Sequence, residues 1–262
     1  MTDFDCKFSR RTILAGGLSA SVGMGAATID TPANGSERAE SNGEAPVSFE
    51  YAKSKGDSEA SENIEMAFDV RFCIHARHCV TRLTKVFREG QYPWMDPTGE
   101  DADLIAAVVE MCPSGALQYK RLDGQRQEEP PNNVVVIREN GPYEFRGTLE
   151  IDGRPVGYRR TLCRCGKSEN KPFCDNSHMD EFVAKGVREP VTDDDEAARL
   201  NWQETPRGPL TVKSTNEGPL MVSGNLQVVC GTNAAIAYAN EVSLCSCGKS
   251  LNKPFCDGSH LG

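Results

Sequence analysis

Four side chains that bind metals recur at fixed intervals in two places. Cys163, Cys165, Cys174 and His178 read C-x-C-x8-C-x3-H, and Cys245, Cys247, Cys256 and His260 repeat the pattern. Three thiolates and an imidazole form a soft ligand set, and a repeat of this length with all four positions in register argues for two metal sites in one chain. Two cysteines one residue apart on an extended turn point the same way and can hold one metal from one side. Cys174 and His178 are four apart, so a helical turn beginning near Asp175, a favourable N-cap, would bring both onto one face. Cys256, Asp257 and His260 repeat this arrangement. Ligand types alone leave two chemistries open: a Cys3His structural zinc site, or an iron-sulfur group with one histidine ligand.

A third set lies upstream. Cys73 and Cys79 form C-x5-C, and Cys112 follows far downstream at the head of Cys112-Pro113-Ser114-Gly115-Ala116-Leu117. The three sets use nine of eleven cysteines and leave only Cys6 and Cys230, which makes metal binding a better reading than a disulfide framework. Cys230 ends the apolar run from Leu226 and reads as a small buried hydrophobe. All four histidines, His75, His78, His178 and His260, lie in or beside these motifs. With no nucleophile-base pair, paired carboxylates or phosphate-binding glycine loop, the expected role is redox carriage and not enzyme catalysis.

The repeated motif resembles the CDGSH iron-sulfur domain family. The second copy matches throughout, with Cys245, Cys247, Ser250, Pro254, Cys256, Asp257, Gly258, Ser259 and His260; the first departs at Asn176, where the family has Gly. Asn tolerates a left-handed backbone better than other non-glycine residues, so the first site is expected to be intact. The resemblance implies a 2Fe-2S cluster in each copy, one iron held by the C-x-C pair and the other by the third cysteine and the histidine. Residues 63–122 resemble the divergent 4Fe-4S branch of the single-cluster ferredoxins. That implies Cys73, Cys79 and Cys112 as ligands, but Ala76 stands where ferredoxins have another cysteine. The cluster is therefore expected to be 3Fe-4S on three cysteines, or 4Fe-4S completed by His75, His78 or an outside ligand.

The elements that must position these residues follow from the rest of the chain. At 262 residues with 38% hydrophobic content the chain can form several small domains, and the net charge of -9 argues against a nucleic-acid partner. Residues 1–29, with Ser9-Arg10-Arg11-Thr12-Ile13-Leu14 and a Gly- and Ala-rich stretch, resemble a twin-arginine export signal; the alternative is a cytoplasmic protein with a plain tail. Residues 30–62 offer almost nothing to bury and read as a disordered linker. The alternation from Ile64 to Phe72 predicts a strand, and Leu104, Ile105, Val108 and Val109 predict one apolar face of a helix over Asp101 to Glu110. Val134 to Ile137 predicts a strand that opens the first CDGSH module, 133–186. An acidic connector at 187–206 and a second module at 207–262 complete the chain.

The expected architecture is α+β: a small ferredoxin-like domain followed by two β-rich CDGSH modules. Dimeric members of that family exchange strands, which implies an internal pseudo-dimer in a monomer. Electron transfer with proton-coupled redox at the two histidines is the expected function, with unidentified redox proteins as partners. Cluster transfer to apo-acceptors, or iron or redox sensing, is the alternative; a structural zinc module is the third.

Overall fold

The computed structural model of the chain describes residues 56–186, 205–215, 218–231 and 233–262, together with Phe49 and Lys53. The expected export signal, most of the linker and most of the acidic connector lie outside the described residues. Among them the chain is mostly β, with nine strands and two short α-helices confined to the N-terminal unit.

That unit is built on an antiparallel sheet of β1 (Asp57–Ala60), β2 (Ile64–Phe68) and β3 (Leu117–Arg121), with β2 in the middle. Ile64 and Met66 point inward from β2 and meet Val86, Phe87, Met95, Ile105, Val109 and Tyr119 in one apolar cluster. Helix α1 (His78–Arg82) and helix α2 (Ala102–Val109) cover this face. Asp101 caps α2 by accepting a hydrogen bond from the Asp103 N–H at 2.8 Å, and Ile105, Val108 and Val109 are buried as the periodicity predicts. Leu104 is 45% exposed, because it lies at the edge of the apolar arc and not within it.

Two expectations are corrected here. β1 falls inside the segment read as linker, since an edge strand of polar residues is held by backbone pairing, Asp57 with Phe68 through Ala60 with Glu65, and needs no apolar pattern. The strand expected to run to Phe72 stops at Phe68: the Asp69 carboxylate accepts from the Arg71 N–H and guanidinium and turns Val70–Phe72 into a 3-10 turn.

The second sheet joins the two modules. β4 (Val134–Ile137), β5 (Tyr143–Ile151) and β6 (Arg154–Leu162) precede the first metal motif; β7 (Pro209–Ser214), β8 (Leu220–Cys230) and β9 (Ala235–Leu244) precede the second. Each module's leading strand is shared. β4 pairs antiparallel with β5 of its own module and parallel with β8 of the other, while β7 pairs antiparallel with β8 and parallel with β5. β5 and β8 change neighbours at irregularities near Gly147 and Gly224, whose φ values of 152° and 124° exclude a side chain without strain. A Cβ at Gly147 would also sit 2.4 Å from the Asn133 amide oxygen. One core results: Val135, Ile137, Phe145 and Leu149 from the first module pack with Leu210, Val212, Val222 and Val228 from the second.

The N-terminal unit docks onto the β5–β6 hairpin through arginines. Arg159, 2% exposed, donates to the carbonyls of Val109 at 2.6 Å, Cys112 at 2.7 Å and Leu117 at 3.1 Å, and pairs with Glu128 at 2.6 Å. Arg146 donates to the Glu110 carbonyl at 3.2 Å.

Candidate metal centres

Each C-x-C pair lies just past the end of a long strand. After β6 the chain loops back so that Phe173 bridges to Leu162; the Cys163 N–H donates to the Pro172 carbonyl at 2.8 Å and the Cys174 N–H to that of Thr161 at 3.0 Å. The second copy repeats this with Phe255 on Leu244, Cys245 to Pro254 at 2.9 Å and Cys256 to Ser243 at 2.9 Å. The loop is held by side chains within the motif. Ser168 donates to the Phe173 carbonyl at 2.6 Å and Ser250 to that of Phe255 at 2.7 Å. Asp175 accepts from the Glu169 N–H at 2.8 Å and from the N–H and hydroxyl of Ser177; Asp257 does the same with Leu251 and Ser259. Asp175 and Asp257 therefore close turns and do not cap an α-helix. Cys174 and His178 are joined by a turn through Asn176, at φ 74°, into the short 3-10 segment Ser177–Met179. Gly258 occupies the matching place at φ 88°, so Asn176 adopts the backbone that glycine adopts in the other copy.

The donor atoms fall into pairs. The Sγ atoms of Cys163 and Cys165 are 3.8 Å apart and those of Cys245 and Cys247 3.7 Å; Cys174 Sγ is 3.4 Å from His178 Nδ1, and Cys256 Sγ 3.5 Å from His260 Nδ1. With metal-sulfur bonds of about 2.3 Å and metal-nitrogen bonds of about 2.1 Å, a tetrahedral ion separates two sulfurs by about 3.8 Å and a sulfur and nitrogen by about 3.6 Å. Every pair fits one metal. Among the described residues, however, no three His, Cys, Asp or Glu side chains gather around a point where one ion could sit. Each copy thus offers two half-sites.

Electrostatics favours a cationic occupant. Cys165 shares its proton with Cys163, which holds Cys163 below the usual thiol range and Cys165 above it; burial pushes Cys174 up to about 11. The raised Cys165 and Cys174 thiols stay protonated unless a metal takes the proton's place. Backbone N–H groups already face the sulfurs, from Lys167 to Cys165 at 3.4 Å, Asn176 to Cys174 at 3.5 Å, Lys249 to Cys247 at 3.5 Å and Gly258 to Cys256 at 3.5 Å. Burial pushes the His178 imidazole down, against the Asp175 charge, and so favours the neutral form that ligates.

The two loops touch. A Cβ on Gly166 would lie 2.5 Å from the Cys247 carbonyl oxygen, and one on Gly248 2.5 Å from that of Cys165.

Cys73, Cys79 and Cys112 all lie in the N-terminal unit, half-buried. Cys73 follows the 3-10 turn, Cys79 lies in α1 and Cys112 follows α2. Burial pushes up the Cys73 and Cys79 thiols; the His75 backbone N–H eases Cys73, while charge on Cys112 raises both. The three sulfurs are close enough to feel one another's charge. His75 itself is exposed, and the loop offers its amide to Cys73; His78, half-buried, opens α1 directly before Cys79.

The sequence reading missed the residues around the sites. Arg159 and Arg160 sit in the strand that leads to Cys163, Tyr143 reaches across to the second loop, and Arg164, 1% exposed, lies between two candidate ligands. Two adjacent arginines between Tyr158 and an apolar strand end were the available signal.

Fold and donor sets together define an iron-sulfur protein. The chain belongs to the divergent 4Fe-4S mono-cluster family through residues 60–122, and it carries the iron-binding zinc finger of CDGSH type over 140–179 and 217–261. It is similar to Uncharacterized protein YjdI of Escherichia coli strain K12, 36% identical over 59 residues that cover 22% of this chain and 78% of that protein. The YjdI protein of Escherichia coli O157:H7 matches with the same figures. No solved structure matches the chain.

Proposed function

We propose that this protein carries electrons, with a 2Fe-2S group in each CDGSH module and a 3Fe-4S or 4Fe-4S group on Cys73, Cys79 and Cys112. The separation of each module's donors into a Cys-Cys pair and a Cys-His pair carries this reading: a two-iron group needs two half-sites, and a structural zinc ion needs one point of convergence. Bound there, such groups supply one-electron couples. The chain's part is to bury the sulfurs, direct amide N–H groups at them and present each histidine through Nδ1, leaving Nε2 available for a proton. Added negative charge beside the ring favours the protonated form, so electron uptake draws a proton to His178 or His260.

The shared strands β4 and β7 support an internal pseudo-two-fold in a monomer. Partners are redox proteins, not nucleic acid. A second reading, cluster transfer to apo-acceptors, draws on one observation: Cys247 and Cys256 are only half-buried, while Cys165 and Cys174 are buried. Iron and sulfide analysis with EPR of both oxidation states tests the proposal. About seven or eight irons per chain and reversible reduction with retained clusters support it. Zinc in place of iron, or clusters lost to an apo-ferredoxin during reduction, would overturn it.

A further inference from the structure

The N-terminal metal site and the first CDGSH site meet at one contact. Phe72, covalently next to Cys73, stands edge-on to Phe173, covalently next to Cys174, with ring centroids 4.7 Å apart and planes at 67°. Arg160 completes the junction. Its guanidinium lies 4.8 Å from the Phe72 ring centroid and donates to the carbonyls of Ser114 and Gly115 at 3.3 Å, in the loop that follows Cys112. The residue is 3% exposed and its Nε has no hydrogen-bond partner, so a costly charge is held where both metal sites adjoin. Asn170, in the first CDGSH loop, donates to the Arg71 carbonyl at 3.2 Å and fixes the same approach from the other side.

We propose that Phe72 and Phe173 form the electron-transfer junction between the N-terminal group and the first CDGSH group, which makes the first module, not the second, the entry to the pair. The proposal rests on the electron-carrier reading above. One electron, delivered by an external one-electron donor such as a photoreduced flavin, leaves the group held by Cys73, Cys79 and Cys112 and enters the group held by Cys163, Cys165, Cys174 and His178. No bond forms or breaks; the first group is oxidised and the second reduced. A histidine ligand raises the potential of a 2Fe-2S centre above that of its all-thiolate counterpart, which makes the CDGSH group a suitable acceptor. Transfer falls off steeply across gaps, and two packed rings next to ligand cysteines leave little gap. The buried Arg160 charge offsets the negative charge that arrives on either side.

The experiment uses the full-length, cluster-loaded protein and a photoreduced flavin delivering less than one electron per chain, followed by rapid-freeze EPR. The N-terminal group should return to its oxidised spectrum as the first module's signal grows, at a rate independent of protein concentration. Cys256→Ser should keep this phase and Cys174→Ser should abolish it. Phe72→Leu should slow it severalfold at unchanged iron content, and Phe72→Tyr should restore it. A second measurement needs no change at Phe72: in fully reduced protein the first module's signal should relax faster than the second's, and Cys73→Ser should remove the difference. Reversible reduction of all groups with equal relaxation of both modules, or an unchanged rate in Phe72→Leu, would overturn the junction alone. Failure of the modules to take up electrons reversibly in the unaltered protein would overturn the carrier reading and the junction with it.

Discussion

The Tyr143 hydroxyl, at the start of the first module's central strand, donates to the carbonyl of Cys245, the first ligand of the second module, at 2.8 Å. The same hydroxyl lies 2.9 Å from the Pro254 carbonyl, so one buried group serves both sides of the second metal loop. Burial pushes this phenol up and keeps it a donor at any working pH. Tyr143→Phe should take this donor from the Cys245 carbonyl, while Pro254 keeps the Cys245 N–H, and destabilise the second loop by about 1–3 kcal/mol. Leu220 occupies the equivalent strand position in the second module and has no hydroxyl, so the first loop lacks this tie. Thermal bleaching of the variant should show the second cluster failing earlier and the first unchanged.

The Arg159–Glu128 pair should be the mechanical link between the N-terminal unit and the sheet. Arg159 is 2% and Glu128 13% exposed at the side chain, and Arg159 also holds three carbonyls of the N-terminal unit. Glu128→Gln leaves a buried guanidinium without its counter-charge, a loss of about 3–5 kcal/mol for pairs of this kind. Limited proteolysis should then release residues up to about the Pro130-Pro131 break as a separate fragment. An unchanged digestion pattern would show that the apolar contacts suffice.

The two CDGSH groups should differ in acid lability. Cys174→Ser and Cys256→Ser each leave one group in place, the second and the first respectively. Because Cys247 and Cys256 are half-buried and Cys165 and Cys174 buried, the group left in Cys174→Ser should bleach faster as pH is lowered. Identical bleaching rates in the two proteins would remove burial as the cause.

The pH window can be assigned to particular groups. Burial sets the folded His178 below its ordinary value of 6.5, so its contribution to stability is complete above that pH and is withdrawn as pH falls from there. Asp175 and Asp257 are held below the carboxylate range, Asp257 by the Ser259 hydroxyl and amides, and their contributions persist until pH falls well under 3.8. Loss of colour as pH falls below 6.5 should therefore disappear in His178→Cys at the first site, while Asp175→Asn should lower stability without moving that window. On the redox side, the wild-type potential should fall with rising pH by up to about 59 mV per unit, as one proton per electron requires. His→Cys variants should give lower potentials without the slope. A histidine that does not ligate would leave spectrum and slope unchanged.

The metal motifs were legible because ligand chemistry is local: Cys163 to His178 needs only a strand end and a tight return, and both are written in sixteen consecutive residues. Asn176 was legible for the same reason, since left-handed tolerance is a property of one residue. The α2 face and the β4 strand followed from periodicity, although Leu104 shows that a four-residue apolar cluster overstates the buried arc by one position. Long-range partners were not legible. Nothing near Tyr143 points to Cys245, 102 residues away, and nothing near Phe72 points to Phe173. β1 was missed because its pairing uses backbone groups that every residue has.

Two copies joined in one chain are free of a constraint that binds any symmetric dimer, in which each substitution is made twice and must suit both places. Here Arg164 stacks near Tyr143 and Phe182, while Ser246 at the matching position donates to the Gly218 carbonyl. Arg160 grips the N-terminal unit from one module alone. Because β4 and β7 tie both halves into one sheet, the lopsided surroundings act on a common frame. A halved gene would produce two modules with open strand edges, because β4 would lose β8 and β7 would lose β5.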